Sequence, residues 1–217
     1  GDDEATAATL IDLGICRVER GEAAEGHGRV VRALALCRSI GDRDGEVRAL
    51  RTLGMAAQTR GDYDRASRTL REALAVAVEL NRPLIEGDVL NSMAVTAIAL
   101  ADFPESVRLA SRAEAIFAAH GDRIGVGYQR YLRGIATAGT GDRQTARTLL
   151  AQAHAMLTAI PDLRGATLAA RDLAALGIDD DAGAAARTLR ACVDTFHIAG
   201  MARFESIAAR LLAVALD

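Results

Sequence analysis

Four histidines and three cysteines are the side chains of this 217-residue chain with the most direct claim on metal or nucleophilic chemistry. Their spacing gives that claim little support. His27 and His154 fall inside helical stretches, His120 at a helix end and His197 near another. None has a His, Cys or carboxylate four residues away, as a metal site on one helix requires. Cys16, Cys37 and Cys192 show no C-x-x-C spacing, and an odd number in so large a chain reads as small hydrophobes in a reducing cytoplasm. The acidic strings Asp42-x-Asp44-Gly45 and Asp179-Asp180-Asp181 offer oxygen ligands, but the first lacks the preceding Asp and the closing Glu of an EF-hand loop. Both fall where turns are expected and read as turn and cap residues. Gly125-Val126-Gly127 lacks the third glycine and the strand–helix setting of a dinucleotide loop, so it reads as a joint between helices. These residues point to no catalytic group, no metal and no cofactor, and an enzyme is the least favoured class.

The bulk composition narrows the partners. Half of the residues are hydrophobic, 3% are aromatic and there is no Trp, which is the balance of close-packed helices. With 26 basic and 29 acidic side chains the net charge is −3. There is no basic excess to neutralise a phosphate backbone, which argues against direct nucleic-acid binding. The longest apolar stretch, Met93 to Leu100, is far short of the roughly 20 residues a membrane helix needs. A start at Gly-Asp-Asp-Glu, without a Met, leads us to expect a piece of a longer protein of the cytoplasm.

The elements that position any site are set by a 40-residue period. Gly21, Gly61 and Gly141 keep it, with Ala101 at the skipped step and Asp181 at the next. Small residues keep the same phase: Gly14, Gly54, Ala94, Gly134 and Ala174, then Gly26, Ala66, Ser106, Ala146 and Ala186, then Ala33, Ala73, Ala113, Ala153 and Val193. Helices that approach to about 8 Å tolerate only small side chains at the crossing, so the period marks stacked hairpins. Gly61-Asp62, Ala101-Asp102 and Gly141-Asp142 combine a residue suited to positive φ with an N-capping Asp. Pro104 falls in a first helical turn. Gly41 to Gly45, Asn81-Arg82-Pro83, Gly121-Asp122-Arg123 and Pro161-Asp162 end the second helices. The expected fold is an all-α right-handed superhelix in one domain over 1–217. Its hairpins run approximately 5–45, 46–85, 86–125, 126–165 and 166–205, and a helix over 202–216 caps the stack or begins a sixth copy.

Leu53-Gly54 in a first helix, followed by Ala66, Leu70 and Ala73 in the second, resembles the tetratricopeptide repeat, and the match extends over nearly the whole chain. The unit is 40 residues rather than the family's 34, and the family's Trp is absent. The long form is similar to repeat arrays in multidomain bacterial regulators, including LuxR-type and maltose-regulator-type activators and STAND ATPases. The resemblance implies that first helices line a concave groove and expose the positions five and two before the Leu and two after it. Those are Arg48, Arg51 and Met55, then Asp88, Asn91 and Val95, then Tyr128, Tyr131 and Ile135, with Leu168, Arg171 and Ala175 in the fifth copy. Tyr and Arg supply amphipathic contact area and bidentate recognition. The reading is a non-catalytic scaffold that binds a peptide or protein segment, including another domain of its parent protein. A small-molecule inducer sensor and a self-association module are the alternatives.

Overall fold

The computed structural model describes residues 2–20, 22–160 and 162–217, without the side chains of Glu19 and Ala23. Gly1, Gly21 and Pro161, which the sequence reading uses as chain start and turn residues, lie outside the described residues. Eleven helices and no strand occur among the described residues: α1 Asp2–Glu19, α2 Ala23–Ile40, α3 Arg43–Thr59, α4 Tyr63–Glu79, α5 Pro83–Ala99, α6 Phe103–Ala119, α7 Arg123–Gly139, α8 Arg143–Thr158, α9 Leu163–Leu176, α10 Ala182–Ile198 and α11 Ala202–Leu216. The fold is all-α and built from repeated helical hairpins.

One backbone device ends most of these helices. Gly41, Gly61, Gly121 and Gly141 take φ of 74°, 76°, 71° and 92°, and Asn81 and Ala101 take 50° and 58°. A left-handed residue thus stops the chain every 20 residues from 41 to 141, twice per period. The next residue then starts the following helix. Asp42, Asp62, Asp102, Asp122 and Asp142 each accept a hydrogen bond from the backbone N–H three residues on, at 2.8–3.2 Å. Each such N-cap contributes about 1 kcal/mol.

The turns are therefore shorter than the sequence suggests. Gly45 lies inside α3, because Asp42 already caps it, and Gly125-Val126-Gly127 lies inside α7 rather than at a joint. A Cβ on Gly127 would stand 2.7 Å from Leu157, so the residue is there for close packing. Asp181 also differs from expectation. Its φ is −152° and its carboxylate caps α10 through Ala184 N–H at 2.8 Å, so it matches the capping aspartates rather than the turn glycines. The short α9 shifts the phase there by one residue.

Packing divides the chain into two compact units, Gly1–Ile116 and Phe117–Asp217. In the first, α1 pairs with α2 and α3 with α4, while α1, α3 and α5 lie side by side. In the second, α7 pairs with α8 and α9 with α10, and α9 lies beside both α7 and α11. The small positions are where paired helices meet. A Cβ on Gly54 would stand 2.7 Å from Leu70, and one on Gly134 2.8 Å from Leu150, so each leucine fills the space that a missing side chain leaves. Ala66, Ala73, Ala94, Ala113, Ala146 and Ala153 are fully buried at the other levels. In the last copy Ala174 is half-buried, and the one-residue shift puts the buried Cys192, rather than the half-buried Val193, at the last of these levels.

Charge ties successive hairpins together, and every basic side chain in the sequence other than His is Arg. Glu46, 5% exposed, accepts from Arg38 Nε at 2.8 Å and Arg43 Nη1 at 2.6 Å. The same two guanidiniums reach Glu72 and Glu79 on α4. One planar fork can serve two carboxylates at once, which an ammonium does less well. Burial alone would push the Glu46 carboxyl up, but the hydrogen bonds from Arg38 and Arg43 outweigh it and hold the group below the usual carboxylate range.

Two stability measurements follow from this packing. Ala66→Leu and Ala146→Leu each overfill a helix crossing and should cost about 1–3 kcal/mol in denaturant melts. Glu46→Gln should cost about 1–3 kcal/mol near neutral pH. Because the folded carboxyl titrates below the unfolded one, that stabilisation is complete above the unfolded value of about 4.3 and is lost as pH falls through the folded value. The gap between Glu46→Gln and the parent should therefore close on acidification, and a gap independent of pH would contradict the assignment.

Candidate binding surface

In the first unit the row of first helices presents two matched sets of side chains. Arg48, Arg51 and Met55 follow one another at helical spacing on α3, and Asp88, Asn91 and Val95 do the same on α5. Asp88 and Val95 are exposed, the latter by 38%, and the other four are half-buried. Between them sit buried hydroxyls that need nothing from outside. Thr52 donates to Arg48 C=O at 2.8 Å, Ser92 to Asp88 C=O at 3.2 Å and Thr96 to Ser92 C=O at 3.0 Å. Gln58 then pins α3 to α5, donating to Ser92 C=O and Thr96 Oγ1, both at 2.7 Å. The floor of this row is thus satisfied and stiff.

The two arginines of the row differ. Arg48 Nη2 bonds Asp12 Oδ1 on α1 at 2.7 Å, an exposed pair of small energetic weight. Arg51 makes no hydrogen bond or ion pair among the described residues. Its guanidinium is available, flanked by the apolar Met55.

The second unit treats its aromatic and basic positions differently. Tyr131 Oη donates to Asp172 Oδ2 at 2.7 Å. Arg171 grips the same carboxylate with Nε to Oδ1 at 2.8 Å and Nη2 to Oδ2 at 2.7 Å. Arg171 is only 7% exposed, so it does not stand on an open wall as its position in the period suggested. Tyr131 packs against the cluster of Leu168, Cys192, Phe196 and Ala208. Burial, with Asp172 beside it, pushes the Tyr131 hydroxyl well above its ordinary range, and burial raises the Cys192 thiol to about 11. Burial would lower the Arg171 pKa, but Asp172 outweighs it and keeps the guanidinium charged. Leu168 is likewise buried and Ala175 half-buried. Tyr128 and Ile135 are half-buried, and the Arg164 guanidinium lies 5.9 Å from the Tyr128 ring centroid.

The signal that Arg171 would be consumed internally was present in the sequence as the adjacent Asp172. An acid next to a base on one helix is so common that it carried no weight without the third partner from α7.

The acidic strings are engaged within the fold. No cluster of three or more His, Cys, Asp or Glu suited to a metal occurs among the described residues. Asp179 and Asp180 pair with Arg143 and Arg147, Asp181 caps α10, and Asp44 pairs with Arg82 at 3.0 Å. His154 Nδ1 meets Ala166 C=O and His197 Nδ1 meets Glu205, each at 3.1 Å. No helix is long and apolar enough to cross a membrane among the described residues.

Paired helices closed over small residues, with first helices side by side, are the geometry of a known repeat, and residues 5–77 match its family model. Over these residues the chain is similar to the tetratricopeptide repeat. No curated protein matches the chain. Among solved structures, a Rap protein complexed with Competence and Sporulation Factor aligns with 99% of this chain and 64% of its own, at 13% identity and a TM-score of 0.75. Aspartyl phosphate phosphatase F from Bacillus subtilis aligns with 100% of this chain and 61% of its own, at 10% identity and 0.70. A variant of nearly identical TPR-like repeats, assigned to a kinesin light chain of Podosopora anserina, aligns with 93% of this chain and 99% of its own, at 14% identity and 0.65. The chain spans less than two thirds of the first two. At these identities the likeness is one of fold, an all-helical array of hairpins over nearly the whole chain.

The hydrogen-bonded Tyr131–Asp172–Arg171 set makes a direct prediction about the second unit. Tyr131→Phe removes one hydrogen bond to a charged acceptor and should cost about 1.5–3 kcal/mol. Arg171→Ala leaves Asp172 without its fork and should cost more. Denaturant melts read both, and equal stability of all three proteins would show that the set is not formed in solution.

Proposed function

We propose that this protein is a non-catalytic scaffold whose first-helix row binds an extended or helical segment of another protein. The observation that carries this reading is the contrast along α3 and α5. Packing positions repeat from copy to copy, whereas the outward set of Arg48, Arg51, Met55, Asp88, Asn91 and Val95 does not, and it rests on a floor whose polar groups are already paired. Residues free to vary on a stiff lattice are the means by which repeat proteins acquire a partner. The likeness in fold to a Rap protein crystallised with Competence and Sporulation Factor supports the same reading.

The chemistry of the row favours an acidic, amphipathic segment. Its carboxylate would meet Arg51, and Arg48 could exchange its exposed pair with Asp12 for a second one, while an apolar side chain covers Met55 and Val95. A peptide is preferred to a small inducer because the Tyr131 hydroxyl and the Nε and Nη2 of Arg171 are already bonded to Asp172. A place in a bacterial regulatory protein of the cytoplasm is the context that the long repeat form suggests.

The test uses an array of acidic amphipathic peptides, with fluorescence anisotropy on those retained. Arg51→Glu should weaken binding at least about tenfold and flatten its salt dependence, with the helical circular-dichroism signal unchanged. Retention of full affinity by Arg51→Glu would sink the assignment of this row.

A further inference from the structure

Away from the first-helix row, one small cavity of the first unit gathers cationic groups that packing does not require. It lies where α2, the end of α3 and the start of α4 meet. Its floor is apolar, with Leu53 and Ala57, and its rim carries His27, Arg60 and Arg65. The enclosed volume is about 10 Å³, room for roughly one water, so a ligand would sit across the mouth rather than inside.

The cationic groups at this mouth are not matched by ion pairs among the described residues. His27 Nε2 stands 3.3 Å from Arg65 Nη2. A guanidinium can only donate, so Nε2 accepts and the proton of the neutral ring lies on Nδ1. That Nδ1 is buried and has no hydrogen-bond partner. Neither Arg60 nor Arg65 has a carboxylate within ion-pair distance among the described residues. Asp62 is the one acid on the rim, and its carboxylate is engaged as the cap of α4, accepting from Arg65 N–H at 3.1 Å. Burial first, then Arg65 and Arg60, push the His27 pKa down.

The repeat supplies its own comparison. Three periods on from His27, the equivalent place on α8 is Arg147. There the cation is answered, because Arg147 pairs with Asp180 in the turn between α9 and α10. With the one-residue shift at α9, Asp179 and Asp180 correspond to Arg60 and Gly61 in the turn between α3 and α4, so the first unit has no acid at either place. The other copies place Ser67, Val107 and Ala186 in the position of His27, and Glu25, Glu105, Thr145 and Ala184 in that of Arg65, so the stack does not need this triad.

We propose that His27, Arg60 and Arg65 form an oxyanion site that takes a carboxylate or phosphate group from outside the fold. The anion fills the role that Asp180 has toward Arg147. It accepts charge-assisted hydrogen bonds from the two guanidiniums and favours the protonated imidazole, so binding takes up a proton and tightens as pH falls toward the His27 pKa. The charged groups facing the ring are Arg60 and Asp62 from the α3–α4 turn and Arg65 from α4; Glu25, on its own helix, is engaged by Arg17 at 3.0 Å. The site is independent of the first-helix row and survives if that row proves inert.

The experiment follows the His27 ring by NMR in the full chain, titrated with inorganic phosphate, with acetate and with chloride at constant ionic strength. Phosphate should raise the His27 pKa and saturate. A comparable response to acetate would assign the site to carboxylates such as acidic side chains, and a response to phosphate alone would assign it to phosphate groups. Arg60→Ala and Arg65→Ala are surface changes that leave the melt in place, and each should weaken phosphate binding about tenfold. No response to either oxyanion, the same response to chloride, or full response in both variants would overturn the proposal.

Discussion

Everything in this fold depends on two helices coming closer than ordinary side chains allow. At Gly54 and Gly134 the missing Cβ is what lets Leu70 and Leu150 seat themselves against the neighbouring backbone. That contact sets the hairpin, and the hairpin sets where the next one begins. Dispersion and apolar burial over many such contacts provide the stabilisation, in a chain whose side chains are mostly too small to do it by size. The two-residue turns add to this by wasting no length. A left-handed residue ends one helix, the next residue caps the following one, and the period stays at 40 over the first three hairpins.

Charge acts on a second level, from hairpin to hairpin. Arg43 to Glu79, Arg48 to Asp12, Arg82 to Asp44 and Arg143 to Asp179 all join residues 36 or 38 apart, close to the repeat length. Individually such exposed pairs contribute little. Their value is in register, because the pairing favours one stacking of successive hairpins over a slipped one. Where the acid is buried, as at Glu46, or half-buried against a buried guanidinium, as at Asp172, the pairing also becomes a condition of stability. Arg51, Arg60 and Arg65 lie outside this scheme, with no carboxylate within ion-pair distance among the described residues.

The all-α hairpin fold was legible in the sequence because its causes are local. The capping function of Asp42, Asp62, Asp102, Asp122 and Asp142 follows from a short acid beside a turn residue, whatever the rest of the chain does. The small positions at Gly54, Ala66 and Ala73 were legible because a repeat displays the same steric demand several times. Errors arose where a single residue type serves two purposes. Gly125 and Gly127 looked like a joint, yet they are helical and exist to admit Phe117 and Leu157. Asp181 looked like a turn residue in phase, yet a short α9 makes it a cap.

The sequence by itself determined the helices, their turns and the regular positions at which one helix admits another, since each depends on residues near in the chain or on the period. Only the tertiary structure decided which outward positions are spent and which remain. Arg51 and Arg171 occupy the same place in the period, but Arg171 has Tyr131 from one helix and Asp172 from its own to consume its charge, while Arg51 has neither. The stack of helices likewise brings His27 to Arg65 across 38 residues and leaves it no acid. Such outcomes depend on the distance between side chains from different hairpins, and an ion pair forms or fails over an ångström or two that no spacing along the chain encodes.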